Sequence, residues 1–599
     1  MLAASPLEPV WVRRRLRVPR EHGAVLAIPP VRDMPAVVSN NRELIASWNV
    51  DCLGKSLSEL RQLARQEALI AARQYTDWLD AANESNGDSC GTRGSRVSPA
   101  TINAREPRAP QIKINQPLIV SGHQPELFHP GVWAKNFALD QLAHETGGIG
   151  LNLIVDSDTL ASTRIAAPVG SKARPTLEHI PFDVDAGPHE RNRPSEELAI
   201  RDKSLFGSFA ERVSHALACW PVDPLVRSIW PAAVAMLSCD TARLPDALTA
   251  ARRQAERDAG LNTLELPLSR LSQTEAFAWF VCHLLSDVRR LHVTYNAVVE
   301  QYRRVNQVRS ASHPLPNLAV AGIGSVSSDT SDAWFEVPFW IWRTGDSERG
   351  RLFVRQTASH VILSNGKDEL GSLPLSATGD PTISVAQLRN LMSNGFKIRT
   401  RALTTTMFAR VFLGDAFLHG LGGAKYDEMT DRLIARLFGV VPPAYLTLTA
   451  TAHLPITAWD TTPLDVAQLR HRLSDFDHNV EQYVSASDWP PANRAEAESL
   501  LAEKLQLVTE QIEQDALSAT HPHRRMKADN FQRCRRLRAI NQRLAQLAEA
   551  THHQLATNLQ AAQAHLSANE ILRSREFSFC LFPADVLIPL LTRRPGFPA

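Results

Sequence analysis

The chain has 599 residues, 44% of them hydrophobic and 21% charged, with a formal net charge of +2. That composition excludes a disordered or fibrous chain and allows several domains, about four if length is divided by ~150. The small net charge gives no global attraction to nucleic acid or an anionic membrane, and no run approaches the ~18 apolar residues of a membrane span.

Seven cysteines, at positions 52, 90, 219, 239, 282, 534 and 580, stand far apart with no CxxC pair or metal-ligand spacing. This is the pattern of reduced thiols in cytoplasm. Residues 1–20 are rich in arginine and proline and lack a signal-peptide core. The expectation is a soluble, cytoplasmic protein with no membrane association.

Residues 1–40 read as an irregular arm. A helical pattern then runs from Asn41 through Leu57, Leu60, Leu63, Leu69, Ile70 and Trp78 to a turn-rich linker at 83–94. These make an N-terminal arm and helical segment over 1–110. Next comes Ile119-Val-Ser-Gly122-His123-Gln124-Pro125-Glu126-Leu-Phe-His129-Pro-Gly131-Val-Trp-Ala-Lys135, an apolar strand that ends in a polar turn and leads into a helix. A second apolar strand, at 151–155, ends in Asp156-Ser157-Asp158. This β-loop-α-β unit opens the first half of a core over 111–190, with its polar groups at the strand ends where open parallel sheets bind ligands.

Short strands are expected near 163–168 and 179–184, and helices from 195 to 260, within an inserted helical segment over 191–330. Ser272-Gln-Thr-Glu275 has capping-box spacing. Behind it Phe277, Phe280, Leu284, Val288, Leu291, Tyr295, Val298 and Tyr302 predict one long helix. Residues 334–361 alternate between turns and predict antiparallel strands, in a β segment over 331–398. The stretch 399–449 is helix-rich, interrupted by His419-Gly420-Leu-Gly422-Gly423-Ala-Lys425, and ends in a return strand. It belongs to the second half of the core, 399–460.

Leu501, Leu505, Val508 and Ile512, and then Leu537 to Leu566, keep a near-heptad spacing with a stutter at Thr551, and Thr520-His-Pro522-His supplies a reversal. They predict an antiparallel helical hairpin with coiled-coil character over 461–575. Its exposed stripe suits either a homodimer interface or packing on the core. Residues 576–599 form a tail returning to the core.

His123 and Gln124 precede Pro125, which keeps the backbone extended and splays the two side chains. They either hydrogen-bond a substrate at the strand end or are satisfied within the loop. If the strand persists, Asp156 and Asp158 face one side and suit an amine, a ribose or Mg²⁺; if the chain turns at Ser157, they cap the next element. Lys135 either reaches a phosphate or carboxylate or is solvated. Gly420, Gly422, Gly423 and Lys425 form a glycine-rich loop opening a helix, where free amides can receive an anion. His419 beside it is a ligand or a structural histidine. No Ser-His-Asp order or zinc-ligand spacing occurs, and no metal ligands are assigned. The basic run Arg524, Arg525, Lys527, Arg533, Arg535, Arg536 and Arg538 reads as a solvated face before a nucleic-acid surface.

His129-Pro-Gly131-Val132 resembles the opening of the His-x-Gly-His signature of nucleotidyl-transferring Rossmann-like enzymes, in which the glycine lets a nucleotide approach and the histidines contact phosphates. Val132 replaces the second histidine. The stretch from Gly122 to Gly131 resembles the Gly-Gln-Gln-Ala-Gly-Leu-Phe-Thr-Gly-Pro loop of the bacillithiol biosynthesis enzyme family, cysteine ligases that add cysteine to glucosaminyl-malate. His419 to Lys425 followed by Phe438-Gly-Val-Val-Pro-Pro is similar to that family's Gly-Gly-Pro-Gly-Glu loop, helix and Phe-Gly strand. Ser574-Arg-Glu-Phe-Ser-Phe-Cys-Leu-Phe-Pro583 is similar to its terminal Leu-Phe-Pro. The family's Gly-Glu-Asp-His-Asp strand end is represented here only by Val155-Asp156-Ser157-Asp158, and its first Gln by His123. The segment from His123 to Lys135 is also similar to the His-Gln-Pro opening of a small family found in surface-polysaccharide gene clusters.

The resemblance implies an α/β fold: a Rossmann-like, nucleotidyltransferase-type parallel-sheet core with inserted helical and antiparallel β segments and a C-terminal α-helical coiled-coil hairpin. It implies a ligase-like enzyme in which nucleotide-driven activation of a carboxyl group precedes attack by an amine. His123, Asp156 and Asp158 would be catalytic, and Gly122, Gln124, His129, Gly131, Lys135, His419, Gly422, Gly423 and Lys425 would bind substrate or nucleotide. The sequence names no cofactor; the resemblance admits ATP or another nucleotide with Mg²⁺. The partners expected are a small-molecule substrate and a second copy of the chain. The alternatives are a nucleotidyl-transferring enzyme and a non-catalytic small-molecule-binding or assembly protein that keeps the fold. In the enzyme readings, the loop at 122–131 and the loop at 420–425 must meet in space.

Overall fold

A computed structural model of the chain describes residues 7–9, 11, 16–87, 115–185, 187, 192–321, 333–346, 348–375, 379–485, 489–520 and 527–593. Its central sheet has six strands: β1 (Val25–Ile28), β2 (Leu118–His123), β3 (Ile149–Ile154), β4 (Leu264–Pro267), β5 (Ala416–His419) and β6 (Leu446–Ala450). The order is β1-β6-β5-β2-β3-β4, and all neighbours are parallel except β1 with β6. Leu118, Ile119, Val120, Leu151, Leu153 and Ile154 are all buried. A parallel strand covered on both faces reads as an apolar run, which is why this unit was visible in the sequence.

Helix α1 (Met34–Ala46) and helix α2 (Leu57–Gly87) precede β2. Helix α3 (Pro130–Glu145) crosses from β2 to β3, α4 (Leu244–Asp258) leads into β4, and α5 (Leu421–Phe438) joins β5 to β6. From β2 the chain steps outward through β3 to β4, whereas β5 and β6 lie on the other side of β2. The strand order therefore reverses between β5 and β2, where Leu418 pairs with Ser121. A second, antiparallel sheet takes the order Glu369–Leu373, Val361–Ser364, Gly350–Gln356, Trp334–Arg343 and Phe396–Thr400.

The chain divides into two compact units, one of residues 1–167, 178–455 and 575–599, the other of residues 168–177 and 456–574. The second contains α6 (Pro463–Phe476), α7 (Arg494–Thr520), α8 (Lys527–Leu547) and α9 (Glu549–Leu572). Its core gathers Phe476, Val480, Trp489, Ile540, Leu544 and Leu555. On α7, Leu505 and Ile512 are 69% and 64% exposed and Val508 is 37% exposed, so most of that near-heptad stripe faces away from this core. Among the described residues, no helix is long and apolar enough to cross a membrane.

Several expectations are corrected. The region read as an irregular arm holds β1 and the start of α1. The predicted long helix is two, Glu275–Leu285 and Val288–Asn306, because Asp287 Oδ1 accepts the Arg290 amide at 3.0 Å and starts the second. Thr274, not Ser272, caps the first, accepting from Phe277 N at 3.2 Å. The expected stutter at Thr551 is a break at Ala548 between α8 and α9. Most of the linker at 83–94, the reversal at Pro522, Arg524 and Arg525 lie outside the described residues.

Candidate functional site

Parallel strands that neighbour each other release their following loops side by side, and here the reversal puts the loops after β2 and β5 next to one another. Lys135, in the second turn of α3, is buried and donates from Nζ to the Gly122 carbonyl at 2.9 Å. Burial, and then the Arg252 guanidinium, pushes its ammonium down to about 8. Its stem runs beside the other loop: a Cβ placed at Gly420 would lie 4.0 Å from Lys135 Cδ and Cε. The loops at 122–131 and 420–425 thus approach each other at this lysine.

His123 lies edge-on to Phe128 with ring centroids 5.0 Å apart, and its Nδ1 is 3.2 Å from the Gln124 carbonyl oxygen. Burial and then the Lys135 cation push its pKa down to about 3. The ring is neutral near pH 7 and a poor proton acceptor. Together with Gln124, Asn136, Asn152, Thr249 and Arg252 it lines a cavity of about 10 Å³, space for roughly one water.

His419 ends β5, and its Nε2 is 2.5 Å from Asp427 Oδ2 in a contact off the hydrogen-bonding direction. Asp427 is fully buried one turn beyond Gly423, with Arg410 Nη1 3.6 Å from its other oxygen. Gly423 lies against the imidazole, because a Cβ there would overlap His419 Nδ1. One of the three glycines is therefore explained by a histidine and not by a bound anion. Gly422 faces open space and Lys425 is exposed. Gly423→Ala should cost about 1–3 kcal/mol by overpacking, whereas Gly422→Ala should be neutral or stabilise by up to ~1 kcal/mol through helix propensity. Urea melts of the two variants check the contrast.

The His-x-Gly-His likeness is reinterpreted in the same way. His129 is the N-cap of α3, its Nδ1 accepting from Gly131 N at 3.1 Å, and its Nε2 is 3.8 Å from Glu576 Oε2. A Cβ at Gly131 would overlap the Ala450 carbonyl oxygen and Arg575 Nη2. Where the resemblance has a nucleotide approaching the glycine, the end of β6 and the C-terminal tail already do so.

Asp156 and Asp158 do not share a side. The strand stops at Ile154, Asp156 N bonds back to Ile154 O at 2.9 Å, and the two carboxylates diverge. Asp158 accepts from Gln124 Nε2 at 3.1 Å and pairs with Arg349 Nη2 at 2.8 Å. Asp156, 3% exposed, accepts from Ser269 N at 2.9 Å and from Ser269 Oγ. Burial, and then the neighbouring Glu196 carboxylate, pushes it up to about 7. It faces a cavity of about 320 Å³ also lined by Glu196, Arg243, Asp246, Arg270, Lys397 and Arg399. His123 does not line that cavity but the smaller one described above.

Sequence reasoning missed the charged partners. Arg399 Nε and Nη2 grip Glu196 at 2.9 and 3.0 Å, and Lys397 Nζ reaches it at 3.2 Å. Arg252 Nη1 and Nη2 bridge Glu256 at 2.5 Å and Glu265 at 2.7 Å, all buried. The available signal was a charge inside an apolar strand, such as Glu265 between Leu264 and Leu266, since a buried charge demands a partner. Among the described residues no group of three or more His, Cys, Asp or Glu could hold a metal ion. The chain matches no protein-family model and no curated protein.

Proposed function

We propose that this protein is a ligase-like enzyme of small molecules, built on a Rossmann-like, nucleotidyltransferase-type core, that joins an amine to an activated carboxylate. The observation that carries this reading is the reversal of strand order between β5 and β2 with a buried lysine at its edge. Ligands of open parallel sheets bind outside the strand ends at such a reversal. Lys135 would give its charge to a phosphate of ATP or another nucleotide bound with Mg²⁺, and the free amides at the start of α5 would receive an anion. His419, at the end of β5, would take the proton of the attacking amine in place of His123, whose low pKa disfavours protonation. The α7–α8 hairpin would act as a coiled coil, pairing two copies through Leu505, Val508 and Ile512 in a cytoplasmic homodimer.

Thermal-shift and calorimetric screens with ATP, CTP, cysteine and amino sugars in the presence of Mg²⁺ test this. A nucleotide should raise the melting temperature, Lys135→Met should weaken its binding at least tenfold, and His419→Gln should bind it but lose turnover. A wild-type protein that responds to no nucleotide would overturn the reading.

One observation favours a non-catalytic binding or assembly role instead. Lys135, His129 and Asp158 all hold partners within the chain. That role predicts a stable oligomer without a nucleotide response.

A further inference from the structure

Beyond the reversal between β5 and β2, the cavity of about 320 Å³ at the ends of β3 and β4 is a separate, built space. Its inner wall is rigid. Arg399 and Lys397, on the strand Phe396–Thr400, are locked by Glu196, and Lys397 also reaches Glu197 at 2.5 Å. Glu196 is itself fixed by its amide, which donates to the Asp156 carbonyl at 2.8 Å. Asp156 is tied to Ser269. Asp246 is occupied as well: Oδ1 accepts from the Tyr75 hydroxyl and Oδ2 from the Arg243 amide, both at 2.7 Å.

Two cations remain. Arg243 and Arg270 line the cavity, are exposed, and make no ion pair with a described residue. Arg270 is held in place by aromatic faces, its guanidinium carbon 4.7 Å from the Tyr75 ring centroid and 5.7 Å from that of Trp78. A stacked guanidinium loses less freedom on binding and keeps its planar fork for an oxyanion. Arg243 is the N-cap of the 15-residue α4, which fixes where its side chain leaves the main chain beside the cavity. Ser269, Thr241 and Gln273 add neutral hydrogen-bonding groups to the lining. Four cations, Arg243, Arg270, Lys397 and Arg399, line the cavity with Asp156, Glu196 and Asp246, and Glu197 pairs with Lys397 beside it. Burial favours the neutral form of Asp156, so a net positive charge develops as that group takes up a proton.

We propose that this cavity is a ligand site distinct from the one at the β5–β2 reversal, and that it takes a small molecule through an oxyanion, carboxylate or phosphate, held by Arg243 and Arg270. The site needs no nucleotide and does not depend on the ligase reading. Its size, about 320 Å³, falls at the lower end of the 300–1,000 Å³ range typical of small-molecule pockets.

Isothermal titration of the full chain at low salt with inorganic phosphate and, separately, with succinate tests it. At least one probe should bind saturably with one site per chain. Arg243→Gln and Arg270→Gln should each weaken that binding at least tenfold. Both side chains are exposed, so circular dichroism melts of the variants should overlay the parent. Binding of succinate alone assigns a carboxylate ligand and binding of phosphate alone a phosphate ester. No saturable binding of either probe, or equal binding by parent and both variants, would overturn the proposal.

Discussion

Arg252→Met is expected to lower stability by about 3–5 kcal/mol in urea unfolding at pH 8, the typical cost of breaking a buried ion pair from one side. The side chain stands between two carboxylates that cannot reach water. Its Nη1 donates to Glu256 Oε2 at 2.5 Å and to Glu265 Oε1 at 3.1 Å, and its Nη2 donates to Glu265 Oε2 at 2.7 Å. Burial opposes the guanidinium charge, but Glu256 and Glu265 outweigh it and raise the pKa. The other hydrogen-bond donors to the two carboxylates are neutral, Trp133 Nε1 and Asn136 Nδ2 each bonding Glu256 at 2.7 Å and Asn152 Nδ2 bonding Glu265 at 2.8 Å, while the Arg253 guanidinium acts on them only through space. Those donors join α3 and β3 to α4 and β4, but they carry no charge to offset two carboxylates.

The pH dependence of this variant has a definite sign. Burial already raises Glu265 even with Arg252 in place, and removing the cation raises it further. The folded variant then holds protons that the unfolded chain releases, so its stability falls as pH rises through that window and recovers on acidification. Urea melts at pH 5 and pH 8 should show a smaller deficit at pH 5. A further variant with Glu256→Gln and Glu265→Gln should regain much of the loss, since replacing a whole buried ion group can be close to neutral. A loss below ~1 kcal/mol at pH 8 would mean that water reaches the two carboxylates.

What could be read from the sequence follows from where each signal is written. The β2-α3-β3 unit was legible because its two strands are short apolar runs bounded by turn residues. β1 was not, since four residues between Ala24 and Pro29 pair at an edge and carry no period. The break at Asp287 was hidden because Leu284, Val288 and Leu291 keep helical spacing across it. Lys135 and His419 stood out as polar residues beside apolar strands. Gly131 stood out too, but what needs it to be glycine is Ala450 and Arg575, which only the fold brings near. The same holds for Glu196, in the short turn Ser195–Glu197, whose partners Lys397 and Arg399 lie on the distant strand Phe396–Thr400. Spacing in a sequence reports neighbours on one element; it does not report which charges a long crossover will put face to face.

Asp156→Asn is expected to remove a pH dependence that the parent shows. In the fold this carboxyl lies at about 7, above its ordinary 3.8, because burial and Glu196 disfavour its charge. The folded state therefore keeps a proton that the unfolded chain loses. Parent stability should fall as pH rises from about 4 to about 7 and level off above that, by on the order of 4 kcal/mol at most. Asparagine resembles the neutral acid: its carbonyl can accept from Ser269 N while its amide donates to Ser269 Oγ. The variant should exceed the parent modestly at pH 5, where the unfolded carboxyl is already ionised, and by more at pH 8. Asp156→Ala should be worse at both, because it leaves the Ser269 amide without its acceptor. Urea melts across pH 5–8 decide the matter, and an asparagine variant less stable than the parent at pH 8 would show that the ionised carboxylate contributes to the fold. The main-chain carbonyl of residue 156 still receives Glu196 N and Ser195 Oγ in the variant, so Glu196 keeps its grip on Lys397 and Arg399. The cavity should then keep its cations while losing a titrating carboxyl, which makes this variant the cleanest background in which to measure oxyanion binding above pH 7.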